Sequence, residues 1–355
     1  MAVILYPILN WGLGHASRSS VVIRHLLRLG HRILPASDGA AYLYLREVFP
    51  QLNILKLPDL EVRYPGRNPI WNMALQSRHI LFSFYKDYRA LKLIAQQYDI
   101  DVVLSDHRLG AFVKGKKNIL LLHQIKIPLR SAVLSSLFHP FSRLLLRPFD
   151  EYWVPDFEEH LLSGKMTQAR LSPMRFIGPI SHFTPYMEGK HSSEYYDVIA
   201  VLSGPEPQRT LFENQIIGEL KNLKLKSLIV RGLPETAKNE VPQSVTSEIY
   251  QISFLPPEKL LPLLLHSKYI IARSGYSTIM DLTCIQKSAL LVPTPGQPEQ
   301  EYLMNHLKYQ NAFIFQLQEE LDIFNGLKRL DKARPIPIAN YPDDLLLKVI
   351  KYSIS

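Results

Sequence analysis

Short unbroken apolar runs alternate with longer stretches whose apolar residues recur at helical spacing, and this rhythm runs through the chain twice. Residues 3–9 form an apolar run of strand length. Residues 17–29 follow, with Val21, Val22, His25, Leu26 and Leu29 on one helical face. Gly30 supplies a C-cap, and 31–35 restarts an extended run. Further strands are expected at 53–57, 101–105, 118–123, 152–154 and 175–177, with a long helix over 80–98. Unbroken apolar strands separated by helices predict a doubly wound, mainly parallel sheet covered on both faces.

The rhythm breaks at 181–193, a polar stretch with Gly189 and Lys190, which places a domain boundary there. It then restarts, with strands expected at 197–202, 226–230, 250–254, 269–272 and 288–292 and helices at 211–220, 257–267 and 277–285. Residues 343–354, amphipathic behind Pro342, read as a closing helix. The expected architecture is α/β, with two Rossmann-like doubly wound parallel-sheet domains at 1–180 and 181–337. A last segment, 338–355, is expected to return to the first domain.

Composition narrows the class. At 355 residues, with 46% hydrophobic and 21% charged residues, the chain suits two globular domains. Its single cysteine, Cys284, has no disulfide or metal-ligand partner and reads as a small core residue, consistent with a reducing cytoplasm. The apolar N-terminus lacks a basic flank and a cleavage site, so it does not read as a signal peptide. No run reaches the roughly 20 apolar residues that span a bilayer. The nearest, 118–146, is broken by His123, Gln124, Lys126, Pro128 and Arg130. A cytoplasmic protein is expected, free or peripheral at the inner face of the membrane. The net charge of +9 suits polyanionic partners, or is simply a solvated basic surface. No nucleic-acid-binding module is recognisable, so nucleic acid is not an expected partner. Residues 62–85 and 125–149 mix Arg, Lys, Trp and Phe with leucines. They read either as core helices with ordinary loops or as an amphipathic surface for a lipid acceptor on an anionic membrane.

Ligands of such sheets bind beyond the carboxyl ends of the strands, so the loops there are the candidates. After the first strand, Gly12 and Gly14 allow close backbone approach, and His15 is placed to act as a general base or to cap the helix. After the strand at 101–105, Asp106 is either a second base, an orienter of His15 or His107, or a helix N-cap. In the second half, Ser203, Gly204 and Arg209 form a candidate diphosphate loop. The richest segment is Arg273-Ser274-Gly275-Tyr276-Ser277-Thr278, where a strand runs into a helix N-terminus. Asp281, a turn later, is a ribose acceptor or a dipole-compensating acid. Gln297, Glu299 and Gln300 follow the next strand with side chains that suit sugar hydroxyls.

The succession Ser274-Gly275, Thr278, Asp281, a strand, Pro293, Pro295, Glu299-Gln300 and a helix with Asn305 resembles the C-terminal half of family 28 glycosyltransferases. Their best-known member transfers GlcNAc to a lipid-linked muramyl-peptide precursor. Gly12, Gly14 and His15 resemble that group's glycine-rich loop, with Trp11 and Leu13 where further glycines usually stand. The resemblance implies the GT-B fold, two domains facing a central cleft, and an acceptor domain preceding a nucleotide-sugar domain. It implies transfer of a hexose or N-acetylhexosamine from a nucleotide diphosphate sugar, UDP-linked, to an unidentified acceptor of the cell envelope, lipid-linked or free. The nucleotide sugar is then a substrate, and neither cofactor nor metal is implied. By the same resemblance Asp281 binds the ribose, and Ser274, Gly275, Ser277 and Thr278 bind phosphate. Glu299 and Gln300 read the sugar, Ser203 and Gly204 face the diphosphate, Phe254 or Leu255 meets the base, and His15 lies at the reaction centre.

Rivals share this fold. The Gly12–Arg18 run also resembles a nucleotide-sugar hydrolase of nonulosonate biosynthesis, in which a histidine activates water. A UDP-GlcNAc epimerase and a non-catalytic nucleotide- or lipid-binding regulator remain open.

Overall fold

β1 (Val3–Pro7) is an unbroken apolar run because it is covered on both faces, not one. Ile4 and Tyr6 enter one core with Val21, Val22 and Leu26 of α1 (Leu13–Arg28). Leu5 enters the other with Leu34, Val103 and Leu91. The computed structural model describes residues 1–10, 13–59, 69–125, 144–169, 171–189, 194–233, 241–338 and 343–354. Trp11, Gly12 and most of the basic-aromatic stretches at 62–85 and 125–149 lie outside the described residues or have no described side chains.

The chain divides into two compact units, Met1–Ser181 with Asn340–Ser355, and His182–Ala339. The first continues through β2 (Arg32–Ser37), α2 (Gly39–Val48), β3 (Leu55–Lys56), α3 (Pro69–Gln97), β4 (Val102–Asp106), β5 (Lys117–Leu121), β6 (Glu151–Val154) and β7 (Met174–Phe176). The sheet order is β3-β2-β1-β4-β5-β6-β7, and every pairing is parallel. The chain's last helix, Asp344–Ser353, packs on this unit, with Leu346 and Ile350 in the α1 core. His25 Nε2 lies 2.7 Å from Asp343 Oδ2, and Lys117 Nζ donates to the Ser353 carbonyl at 2.6 Å.

The second unit holds β8 (Val198–Val201), α4 (Gln208–Leu220), β9 (Ser227–Val230), β10 (Gln243–Ser244), β11 (Ile249–Ile252), α5 (Pro257–His266), β12 (Tyr269–Arg273), α6 (Tyr276–Cys284), β13 (Ala289–Val292), α7 (Pro298–Leu307), β14 (Phe313–Phe315) and α8 (Ile323–Leu330). Its order is β10-β11-β9-β8-β12-β13-β14, parallel except for the antiparallel edge pair β10–β11. Val198, Ala200 and Leu202 meet Phe212, Ile216 and Leu220 of α4 in its core. Cys284 is a buried free thiol at the end of α6.

The elements not expected from sequence are the short or weakly patterned ones: α2, α8, β10 and β14. β10 is two exposed polar residues with no periodicity to detect. α8 did carry a signal, because the Asp322 carboxylate accepts from Asn325 N at 3.0 Å as an N-cap does. Among the described residues, no helix is long and apolar enough to cross a membrane.

Candidate active site

Each sheet reverses its strand order once, between β1 and β4 in the first unit and between β8 and β12 in the second. Loops leaving the carboxyl ends of such strand pairs diverge, and the crevice they leave is where open α/β sheets hold ligands.

In the first unit the two strand ends are held together by backbone, with Leu9 N donating to the Asp106 carbonyl at 3.1 Å. α1 starts earlier than the sequence pattern indicates, so Gly14 lies in its first turn, not in a loop. That brings His15, Arg18 and Ser19 over the end of β4. His15 Nδ1 is 2.9 Å from Asp106 Oδ1, and only 12% of the His15 side-chain surface is exposed. Arg18 Nε donates to Asp106 Oδ2 at 2.8 Å, Arg18 Nη2 pairs with Oδ1, and Ser19 Oγ donates to Oδ2 at 2.7 Å. Asp106 is therefore a fully buried carboxylate in a charge network, and no helix follows it for it to cap. His107 and His123 complete the cluster, their rings 5.5 and 5.9 Å from that of His15.

Burial alone would raise the Asp106 pKa. Arg18 and His15 outweigh it and hold the carboxyl well below the usual range. Burial, then the Arg18 charge, lowers His15 to about 4 despite the opposing pull of Asp106. Burial, then the charges of His123, His15 and Arg18, also drives His107 well down. At neutral pH both imidazoles are uncharged, and a neutral His15 is in the proton-accepting state that a general base needs.

In the second unit, Ser203 and Gly204 are exposed beyond β8, and Gly204 has φ +105°, a conformation that favours glycine. Beyond β12, Gly275 caps α6 in an extended conformation and Ser277 and Thr278 occupy the first turn, so backbone amides and two hydroxyls stand together where anions bind. Beyond β13, Thr294 is buried with its Oγ1 unpartnered, 3.9 Å from where a Cβ on Gly204 would stand. Phe254 and Leu255, both half-buried, follow β11.

Several side chains expected on the ligand are committed to protein groups. Arg209 pairs with Glu206 and with Glu213 Oε2 at 2.8 Å, so two carboxylates already answer its charge. Arg273 is the last residue of β12 and buried. It donates to the carbonyls of Gln208 at 2.9 Å and Pro293 at 3.2 Å and lies 3.8 Å over the Phe212 ring. Burial lowers it to about 10, still a cation, and it ties together the loops after β8 and β13. Gln300 turns inward, accepting from Thr294 N at 2.8 Å and donating to Gln297 Oε1 at 2.6 Å, so it shapes its loop. Ser274 is buried with Oγ 3.4 Å from the Gln300 carbonyl. Glu299 is half-buried. The Asp281 carboxylate lies 3.2 Å from His182 Nδ1, a partner 99 residues away that sequence spacing does not reveal.

Among the described residues no cluster of histidine, cysteine or acidic side chains could hold a metal ion. The chain does contain one Asp-x-Asp spacing, Asp99-Ile100-Asp101, but it precedes β4 at the edge of the sheet opposite the site. There Asp101 Oδ2 accepts from Val3 N at 2.8 Å.

Residues 2–125 match the model described as Glycosyl transferase family 1, and residues 198–340 match the Glycosyltransferase family 28 C-terminal domain. No curated protein matches the chain. Among solved structures, the chain is similar to the glycotransferase of kitacinnamycin at TM-score 0.65 and 14% identity, over 98% of this chain and 94% of that one. The spinosyn rhamnosyltransferase SpnG complexed with thymidine diphosphate is similar at 0.60 and 14%, over 94% and 90%. Arabidopsis thaliana UGT89C1 complexed with UDP-L-rhamnose is similar at 0.61 and 13%, over 99% and 94%. The shared architecture is GT-B. With a glycosyltransferase model matching each half, the chain is a glycosyltransferase.

Proposed function

We propose that the enzyme moves a hexose or N-acetylhexosamine from a nucleoside diphosphate sugar to a hydroxyl acceptor without a metal ion. The observation that carries this reading is the pair of a part-exposed His15 with the fully buried Asp106 at the carboxyl end of β1 and β4. In the proposed reaction the acceptor hydroxyl gives its proton to His15 Nε2 as its oxygen bonds the anomeric carbon. The bond from that carbon to the diphosphate breaks, and the nucleoside diphosphate leaves. Asp106 receives Nδ1–H and stabilises the imidazolium that forms.

The second unit takes the donor. The α6 N-terminus with Ser277 and Thr278 binds the diphosphate and stabilises it as it leaves. Ser203 and Gly204 face it from β8, and Glu299 and Gln297 meet the sugar hydroxyls. Asp281 accepts from the ribose by exchanging His182 for the ligand. Backbone at Phe254 or Leu255 meets the base. The donor half matches a family 28 domain, and two similar folds hold a pyrimidine nucleotide, thymidine diphosphate in one and UDP-L-rhamnose in the other. Both support a pyrimidine donor, and we assign it as UDP-linked. The acceptor is a lipid-linked or free hydroxyl compound, used in the cytoplasm or at an anionic membrane face.

A thermal-shift panel with UDP, TDP, GDP and CMP tests the donor assignment. A rise in Tm with UDP, strongest in the panel, is expected; no rise with any of the four sinks it. Incubating the enzyme with a UDP-sugar and no acceptor separates transfer from its rivals. Stoichiometric release of free sugar, or conversion to the epimeric donor, would replace the transferase reading.

A further inference from the structure

Arg18 is among the largest fully buried side chains of the first unit, and a buried guanidinium persists only where its N–H groups find acceptors. Its fork is directed at one carboxylate: Nε to Asp106 Oδ2 at 2.8 Å and Nη2 to Oδ1. The same group also reaches two imidazoles. Nη1 lies 2.9 Å from His123 Nδ1, and Nη2 lies 2.9 Å from His15 Nδ1.

A guanidinium has donors and no lone pair to offer. In its contact with Arg18, His123 Nδ1 must therefore be the acceptor, which puts the His123 proton on Nε2. At His15 the two neighbours make opposite demands. The carboxylate asks Nδ1 to carry the proton, whereas the guanidinium asks it to be bare. Only the first leaves Nε2 open to take a proton from substrate.

We propose that Arg18 is the positioning residue of this pair: its fork fixes the Asp106 carboxylate against His15 and fixes the tautomer of His123. The inference rests on the reading of His15 as the base, although its test does not need turnover. Among the described residues, four titratable or charged groups face His15: Arg18 from its own helix, Asp106 at the end of β4, His107 just beyond it, and His123 beyond β5. One of these is a fixed cation and one a carboxylate already shared with that cation. An unshared aspartate would draw a proton onto its histidine. Here burial first, and then the charge of the fork, offset that pull, in keeping with a His15 pKa of about 4. Arg18 thus keeps His15 ready to accept a proton across the physiological range.

Nitrogen-15 NMR of the histidine rings in the full chain tests this. In the wild type, His15 should stay neutral down to about pH 4, and the neutral His123 ring should carry its proton on Nε2. A His15 midpoint near the ordinary value of about 6.5, or a His123 proton on Nδ1, overturns the proposal without any variant. In Arg18→Gln the His15 midpoint should rise by about one unit or more and the His123 tautomer should no longer be fixed. A folded Arg18→Gln protein with both signals unchanged also overturns it. Arg18→Lys keeps the charge without the fork. It should hold the His15 midpoint low, release the His123 tautomer, and cut kcat more than KM; wild-type behaviour in all three refutes the role of the fork. If no nucleotide sugar turns over yet the ring signals behave as stated, the transferase reading fails and the positioning role stands.

Discussion

The two strand-reversal points use charge in opposite ways. In the first unit the arginine, the carboxylate and the histidines are themselves the proposed site, and Arg18 and Asp106 are buried against each other at its centre. In the second unit the arginines stand behind the site. Arg209 is matched by Glu206 and Glu213, and Arg273 by carbonyls and the Phe212 ring, while backbone amides and hydroxyls form the exposed face. A site that moves a proton needs fixed charges to tune an acid or base. A site that must grip and then release a diphosphate is served by dipoles, which attract an anion without pairing with it permanently.

The comparison breaks most visibly at Asp106. Asp106→Ala leaves Arg18 buried without its carboxylate, so urea denaturation should show a loss of about 3–5 kcal/mol. A loss under about 1 kcal/mol would mean the fork does not organise the first site. His15→Ala leaves that pair intact. Its kcat should fall about 10²–10⁴-fold with UDP affinity unchanged, and a matching fall in affinity would move His15 into the donor site. In the second unit, Asp281→Ala should weaken UDP binding about 10-fold or more, the size of a charged hydrogen bond, as read by calorimetry. Ser277→Ala and Thr278→Ala should each weaken it only several-fold, about 1 kcal/mol apiece. Larger effects from the hydroxyls than from Asp281 would reverse the proposed division of labour.

Acid should affect the first unit before the second. The His15 pKa is lowered in the folded protein, so between about pH 6.5 and pH 4 the unfolded chain binds a proton that the folded one does not. Stability should therefore fall on acidification through that window. Asp106, with its folded pKa depressed, contributes stability that is present above the unfolded value of about 3.9 and is lost only as pH falls below it. Chemical denaturation at pH 7, 5.5 and 4.5 checks the sign, and His15→Ala should flatten the slope. The smallest expected effect is at Thr294, whose buried hydroxyl has no protein partner. Thr294→Val should leave stability within about 0.5 kcal/mol and lower donor affinity slightly. A clear stabilisation with no change in affinity would remove Thr294 from the site.

The parts of this fold that are legible in sequence are those that a single strand or helix determines. β1, β4 and β12 read as strands because burial on both faces makes them continuously apolar, and their ends locate the loops. Asp106 was visible as a strand-end acid. Orienting His15 was one of the roles open to it, but its contacts with Arg18 and Ser19 were not visible, because those residues come from a helix some 90 residues earlier and are brought over it only by β1–β4 pairing. The pairing of Asp281 with His182 is hidden because the two lie far apart in the chain. Arg209 was misread for another. Its charge is plain in the sequence, but Glu206 and Glu213, three before and four after it, neutralise it once the helix forms. Arg273 was read as a loop residue because the apolar run stops at Ala272, whereas the strand continues one residue further and points the guanidinium inward.

The last helix has a consequence for how the protein is made. Leu346 and Ile350 fill the core around α1, and Lys117 holds the carbonyl of Ser353. During synthesis the first unit therefore emerges early but acquires its final packing layer only after the whole of the second unit has been translated. A fragment ending at residue 181 would lack that layer, so exchanging donor halves between such enzymes requires an insertion within the chain, with the closing helix retained from the parent of the first unit.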